Sequence, residues 1–122
     1  LHFALTDEVE KYHQEVQTYK VTDAEGNYVA LLYTDFFPRA GKRNGAWMTT
    51  FKDQYIDLQG NDSRPHISIV CNFTRPTDTE PSLLTFNELT TLFHEFGHAL
   101  HGMLSRVTYP SLSGTNVARD FV

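Results

Sequence analysis

The alternation of apolar and polar positions divides the chain into a β-rich first part and a helical second part. "HISIVCNF" (His66–Phe73) is the plainest strand. Ile67, Ile69, Cys71 and Phe73 fall on one face, and Ser68, Val70 and Asn72 on the other. Two more β-rich runs, Tyr19–Thr22 and Tyr28–Asp35, flank Asp23–Asn27. The Glu25-Gly26-Asn27 tip tolerates positive φ, which predicts a hairpin. "AWMTTF" (Ala46–Phe51) predicts a short strand. "PRAGKRNG", "DLQGNDSRP" and "TRPTDTEPS" predict loops from their Pro, Gly and Asn content. The opening "LTDEVEKYHQEVQTYK" is polar, with weak helical or extended character.

The period then changes. Leu89, Leu92, Phe93, Phe96, Leu100, Met103 and Leu104 recur at helical spacing and predict one apolar, core-facing side of a long helix. Thr85 and Glu88 stand as the T-x-x-E of a capping box, in which each side chain satisfies one of the free N–H groups at the helix start, and Leu84 and Leu89 occupy the staple positions. The helix is expected over 85–106, fading near Ser105–Arg106 before Pro110. "SLSGTN" predicts a loop, and "VARDFV" (117–122) the start of another helix. Strands followed by helices give an α+β class: a small, mostly antiparallel sheet packed with the long helix. No linker is visible, so 1–122 reads as one unit, with a β-rich part over 19–73.

Totals narrow the function. The net charge is −5 and the sequence pI about 5.6. That argues against nucleic acid or an anionic membrane as principal partner. Cys71 is the only cysteine, so an internal disulfide and a CxxC metal site are both excluded; a reducing, cytoplasmic compartment is the favoured expectation. No apolar run is long enough to span a bilayer.

The chemistry concentrates in "TLFHEFGHALHG" (Thr91–Gly102). His94 and His98 are four residues apart, which on a helix puts them on one face, one turn apart. Two imidazoles so placed can converge on one ion at about 2.0–2.1 Å. Glu95, next in sequence to the first ligand, points to a neighbouring azimuth and can act as a base without ligating. This is the H-E-x-x-H arrangement of two zinc ligands and a general base. Advancing about 100° per residue from Leu89 puts the histidines opposite the apolar side chains, where a second wall could face them across a cleft. His101 shares that face, but seven residues of helix span about 10.5 Å, so His101 is read as lining the cleft or supporting a ligand, or simply as an exposed polar residue. Gly97 and Gly102 each cost about 0.8–1.0 kcal/mol against alanine in a helix; either something approaches closely there, or a well-packed helix tolerates them.

Together these residues resemble a known family. "TLFHEFGHALHG", "SGT" (Ser113–Thr115) and "RDFV" (Arg119–Val122) resemble the thimet-oligopeptidase family of zinc metallopeptidases, and "LLYTDFFPRAGKRNGAW" and "SIVCNFTRP" are similar to its peptidyl-dipeptidase and oligopeptidase A branch. The resemblance implies one Zn²⁺ held by His94 and His98, Glu95 as base, and hydrolysis of oligopeptides, with dipeptide release in the peptidyl-dipeptidase branch. It also implies a third ligand, a glutamate immediately after "FV". On that expectation the chain is a fragment of a larger, mainly helical catalytic domain, lacking one ligand and being inactive or weakly active alone. Substrate is expected to lie extended along a sheet edge at Gly45-Ala46-Trp47, the alternative being an ordinary strand start with a core tryptophan. A rival reading is a module that binds metal or peptide without turnover. Surface normally covered by the rest of such an enzyme would expose apolar patches and favour self-association.

Overall fold

The computed structural model describes residues 1–121. Five strands form one sheet: β1 (His2–Leu5), β2 (Gln17–Thr22), β3 (Tyr28–Asp35), β4 (Trp47–Lys52) and β7 (His66–Val70), in the order β1-β2-β3-β7-β4. Three of its pairings are antiparallel; β3 and β7 run parallel. β5 (Tyr55–Ile56) and β6 (Asp62–Ser63) pair as a separate two-stranded ribbon. A single long helix, α1 (Phe86–Met103), packs on one face of the sheet, and a 3₁₀ turn follows at Pro110–Leu112. The α+β arrangement expected from the sequence is present, with a mixed sheet.

Two turns share one design. In Asp23–Asn27 and Asp57–Asn61 the first Asp carboxylate accepts from the backbone N–H two and four residues on, and a glycine at φ near +85° stands fourth. That conformation strains any residue with a Cβ, which is why D-x-x-G-N recurs. The first turn is the expected hairpin. The second lies in a stretch expected to be plain loop, and its β5–β6 ribbon corrects that expectation. Ahead of the polar opening, His2–Leu5 pairs with β2 as an edge strand, its side chains all exposed. An edge strand gains backbone hydrogen bonds without burying a face, so it carries no alternation to read.

The capping box is made as expected. Thr85 Oγ1 accepts from Glu88 N at 3.2 Å, and Glu88 Oε2 from Thr85 N at 3.0 Å. The helix ends at Met103, before the expected 106; Arg64 donates to the final helical carbonyl, Met103 O, and to Ser105 O just beyond the end. Gly102 lets the helix approach the sheet: a Cβ there would lie 2.8 Å from Ile67 Cδ1. Gly97 meets nothing within 4 Å, so the two glycines have different reasons.

The helix is turned differently from the expected pose. Glu95, Ala99, Gly102 and Met103 are its buried residues. The Leu89–Phe93–Leu104 stripe, expected to be core, is exposed, with Phe93 at 66%. Leu92, Phe96 and Leu100 are shared between the two sides. Small residues at Ala99 and Gly102 allow closer backbone approach than leucines would, so the helix sits on its small side and leaves part of its apolar side open. Ile67, Ile69, Cys71 and Phe73 share one core with Met103 and Ala99, as the strand alternation predicted. Full burial of an Ile stabilises by about 1.5–3 kcal/mol. At the other end, Ala118–Phe121 form a turn with one bond, Phe121 N to Ala118 O. The helix expected from 117 is not formed over these residues, since one turn is a costly nucleus until further turns support it; Val122 lies outside the described residues.

The far face of the sheet holds a buried ion network. Asp35 accepts from Arg39 Nη1 at 2.7 Å and Nη2 at 3.0 Å, from Lys42 Nζ at 3.0 Å and from Tyr12 OH at 2.9 Å. Lys42 also donates to the carbonyls of Asp35, Phe37 and Cys71. Asn72 Nδ2 donates to Arg43 O and Gly45 O. These bonds fix the 36–45 loop and deliver the chain into β4 at a set height.

Candidate metal centre

His94 and His98 converge. Their Nε2 atoms are 3.0 Å apart and their rings stand nearly perpendicular, at 88°. Two nitrogens sharing a tetrahedral ion at 2.0–2.1 Å would lie about 3.3 Å apart. The pair therefore fits as two ligands of one metal, with both rings outside the packed core. Among the described residues no group of three or more His, Cys, Asp or Glu side chains could hold a metal ion; His94 and His98 stand as two adjacent candidate donors.

Glu95 lies one residue, and so about 100° around the helix, from His94. It faces the sheet and is only 8% exposed. Its carboxylate takes no hydrogen bond among the described residues, unlike Asp35. Its burial is one-sided, because a cleft of about 250 Å³ opens beside it. Glu95 and His98 form one wall of that cleft, Ala46, Trp47 and Met48 the opposite wall, and Thr115 an end. Cys71 is fully buried nearby; burial, reinforced by the Glu95 carboxylate, pushes its thiol up to about 11, so it stays a neutral core residue.

β4 is an edge strand: among the described residues it pairs only with β7, and its other edge is free. Gly45 precedes it at φ +100°, a left-handed turn that a side chain would strain, and it is exposed. Ala46 lines the cleft; Gly45 does not. His101 is exposed and does not line it. Trp47, expected with Gly45 and Ala46 at the sheet edge, lines the cleft, and Thr115 and Met48 join it without having been expected there. For Thr115 the signal was the S-G-T motif: Gly114, at φ +53°, lies so close to the helix that a Cβ would come within 2.9 Å of Gly102 Cα. Ser113 Oγ and Gly114 N both donate to Ser105 Oγ, and the loop so anchored presents Thr115 to the cleft.

Comparison with known proteins gives the same direction. A family model described as Peptidase family M3 matches residues 1–122. The dipeptidyl carboxypeptidase of Salmonella typhimurium is 47% identical over 111 residues, covering 91% of this chain and 16% of the relative. The thimet-like oligopeptidase of Dictyostelium discoideum is 43% identical over 113 residues, 91% of this chain and 17% of the relative. Oligopeptidase A of Salmonella typhimurium is 38% identical over 107 residues, 88% and 16% respectively. The chain thus spans about a sixth of the length of the curated relatives it matches.

Proposed function

Because the chain belongs to peptidase family M3, we propose that it carries the zinc helix and substrate edge of an oligopeptide-hydrolysing metallopeptidase, of the kind that its dipeptidyl carboxypeptidase and oligopeptidase A relatives name. The observation that carries the reading is the pair of Nε2 atoms 3.0 Å apart, with Glu95 beside them and facing a free strand edge. His94 and His98 hold the zinc, and a third donor from outside the described residues completes the set. When bound, zinc supplies a Lewis acid that brings the pKa of water toward 7 and polarises a carbonyl.

This chain's own residues do the rest. Glu95 takes a proton from the attacking water and delivers it to the leaving amine. Its carboxylate needs no rearrangement for this, since no internal donor competes for its lone pairs. The free edge of β4 binds the peptide as an added strand, through backbone groups at Ala46–Met48. Water is restricted on the sheet side by Ala46, Met48 and the core beneath them. Short peptides are the partners. The exposed stripe around Phe93 is the surface that would make isolated copies self-associate. No helix among the described residues is long and apolar enough to cross a membrane.

The test is Glu95→Gln in the complete protein. We expect hydrolysis of short peptides to fall about 10²–10⁴-fold with zinc content unchanged. Near-normal turnover with zinc bound would exclude Glu95 as the base.

A further inference from the structure

A broad hollow lies on the other side of β4 from the His94–His98 pair. It has a volume of about 730 Å³ and is lined by residues that include Tyr12, Tyr33, Trp47, Thr49 and Phe51. Trp47 joins the two cavities: its strand position borders the metal cleft, and its ring belongs to the far side. The alternation of β4 explains this. Ala46 and Met48 pack toward the helix, while Trp47, Thr49 and Phe51 point away.

The rim is cationic although the whole chain carries −5. Four cations (Lys11, Arg39, Lys42 and Arg43) and two carboxylates (Glu10 and Asp35) line it. Arg39 and Lys42 are committed to Asp35, and Lys11 lies 3.9 Å from Asp7. Arg43 differs: its guanidinium stacks over the Trp47 ring at 5.7 Å, it is exposed, and it makes no ion pair among the described residues. The backbone around it is pinned by Asn72 donating to Arg43 O and Gly45 O. The result is a pre-positioned cation on an aromatic platform, with its donors unused.

A peptide added to the edge of β4 would alternate in the same way. Residues over Ala46 and Met48 would face the metal cleft, and the residue opposite Trp47 would face the far hollow. We propose that this hollow, with Arg43 on Trp47 as its cation, is a subsite that takes a carboxylate of the bound peptide. It rests on the edge-strand reading given above. The carboxylate can be a Glu or Asp side chain at the position opposite Trp47, or the peptide's own C-terminus if the chain ends there.

The experiment uses the complete protein and a set of matched peptides. Glu, Gln or Lys is placed in turn at each position flanking the cleaved bond, each peptide made with a free or an amidated C-terminus. Cleavage is followed with wild-type protein, and peptide binding by calorimetry in the Glu95→Gln background. The expected result is a preference of about tenfold for the carboxylate at one position, the size of a charged hydrogen bond. Arg43→Gln removes that preference in both readouts while neutral peptides are cleaved as before, and Arg43→Glu turns it toward Lys. If only the free C-terminus matters, the terminal carboxylate is the occupant; if only the side chain matters, the acidic residue is. A preference untouched by Arg43→Gln, equal loss for all peptides, or no charge preference at all would overturn the proposal. Failure of wild-type protein to cleave any peptide would instead strike the functional reading on which it rests.

Discussion

Two polar clusters flank the same sheet and are built in opposite ways. Around Asp35 every oxygen is answered: Arg39, Lys42 and Tyr12 all donate to it, and Lys42 spends its remaining capacity on backbone carbonyls. Around Glu95 nothing is answered. The residue is 8% exposed, but its carboxylate opens to the cleft and accepts no bond among the described residues, and the two imidazole nitrogens beside it lie 3.0 Å apart. A closed network consumes its own donors and holds structure. An open one keeps lone pairs for something that comes from outside. The contrast is the ground on which the Glu95 cluster, and not the Asp35 network, is proposed as the working one.

The contrast can be pressed with substitutions. Asp35→Asn should cost most, about 3–5 kcal/mol, because it strands the buried Lys42 charge and the half-buried Arg39; urea unfolding measures it. Glu95→Gln, made without metal, should shift stability by less than about 0.5 kcal/mol, since no internal bond is lost. Comparable losses at the two positions would erase the distinction. The same network sets an acid limit. Burial works to raise the Asp35 pKa, but the bonds from Arg39, Lys42 and Tyr12 outweigh it and hold the group below the usual carboxylate range. Its folded value being depressed, its contribution is complete above the unfolded value of about 3.9 and is lost as pH falls through the folded one. Unfolding midpoints measured from pH 6 down to 2 should drop in that window for wild type, and much less for Asp35→Asn. Tyr12, pushed up to about 12 by burial, stays a donor throughout.

Smaller effects sharpen the pose of the helix. Gly102→Ala should destabilise by about 1–3 kcal/mol by overpacking against Ile67. Thr85→Ala should lose the cap, about 1 kcal/mol. Gly97→Ala, in open space, should stabilise by about 0.8–1.0 kcal/mol. Thermal unfolding of the three variants checks them together, and a destabilised Gly97→Ala would mean that the open side of the helix is mis-described.

Local signals in the sequence were read well, and global ones less so. The capping box, the alternation of β7 and the first D-x-x-G-N turn each depend on a few neighbouring residues, and each is found where expected. The second D-x-x-G-N turn carried the same signal but lacked long β-rich runs beside it. The H-E-x-x-H spacing placed two imidazoles on one turn, which helix geometry alone guarantees. The helix is rotated from the pose its apolar pattern predicts, because its most apolar side is not the one that packs closest to this sheet. Close packing selects Ala99, Gly102 and Met103, leaves Leu92, Phe96 and Leu100 half-buried, and turns Leu89, Phe93 and Leu104 outward. Asp35, Arg39 and Lys42 gave only a faint i,i+4 pattern in a loop; their joining to Tyr12 is a matter of tertiary fold. Thr115 was within a quoted motif, but its place in the cleft depends on the contact between Gly114 and Gly102.

The central claim is that the open cluster holds the metal and the closed one does not. The most direct measurement is zinc bound per molecule of the complete protein after chelator treatment and zinc titration, for wild type, His98→Ala and Arg39→Ala. The account predicts one equivalent for wild type and Arg39→Ala, and its loss in His98→Ala. Full zinc binding by His98→Ala would contradict it.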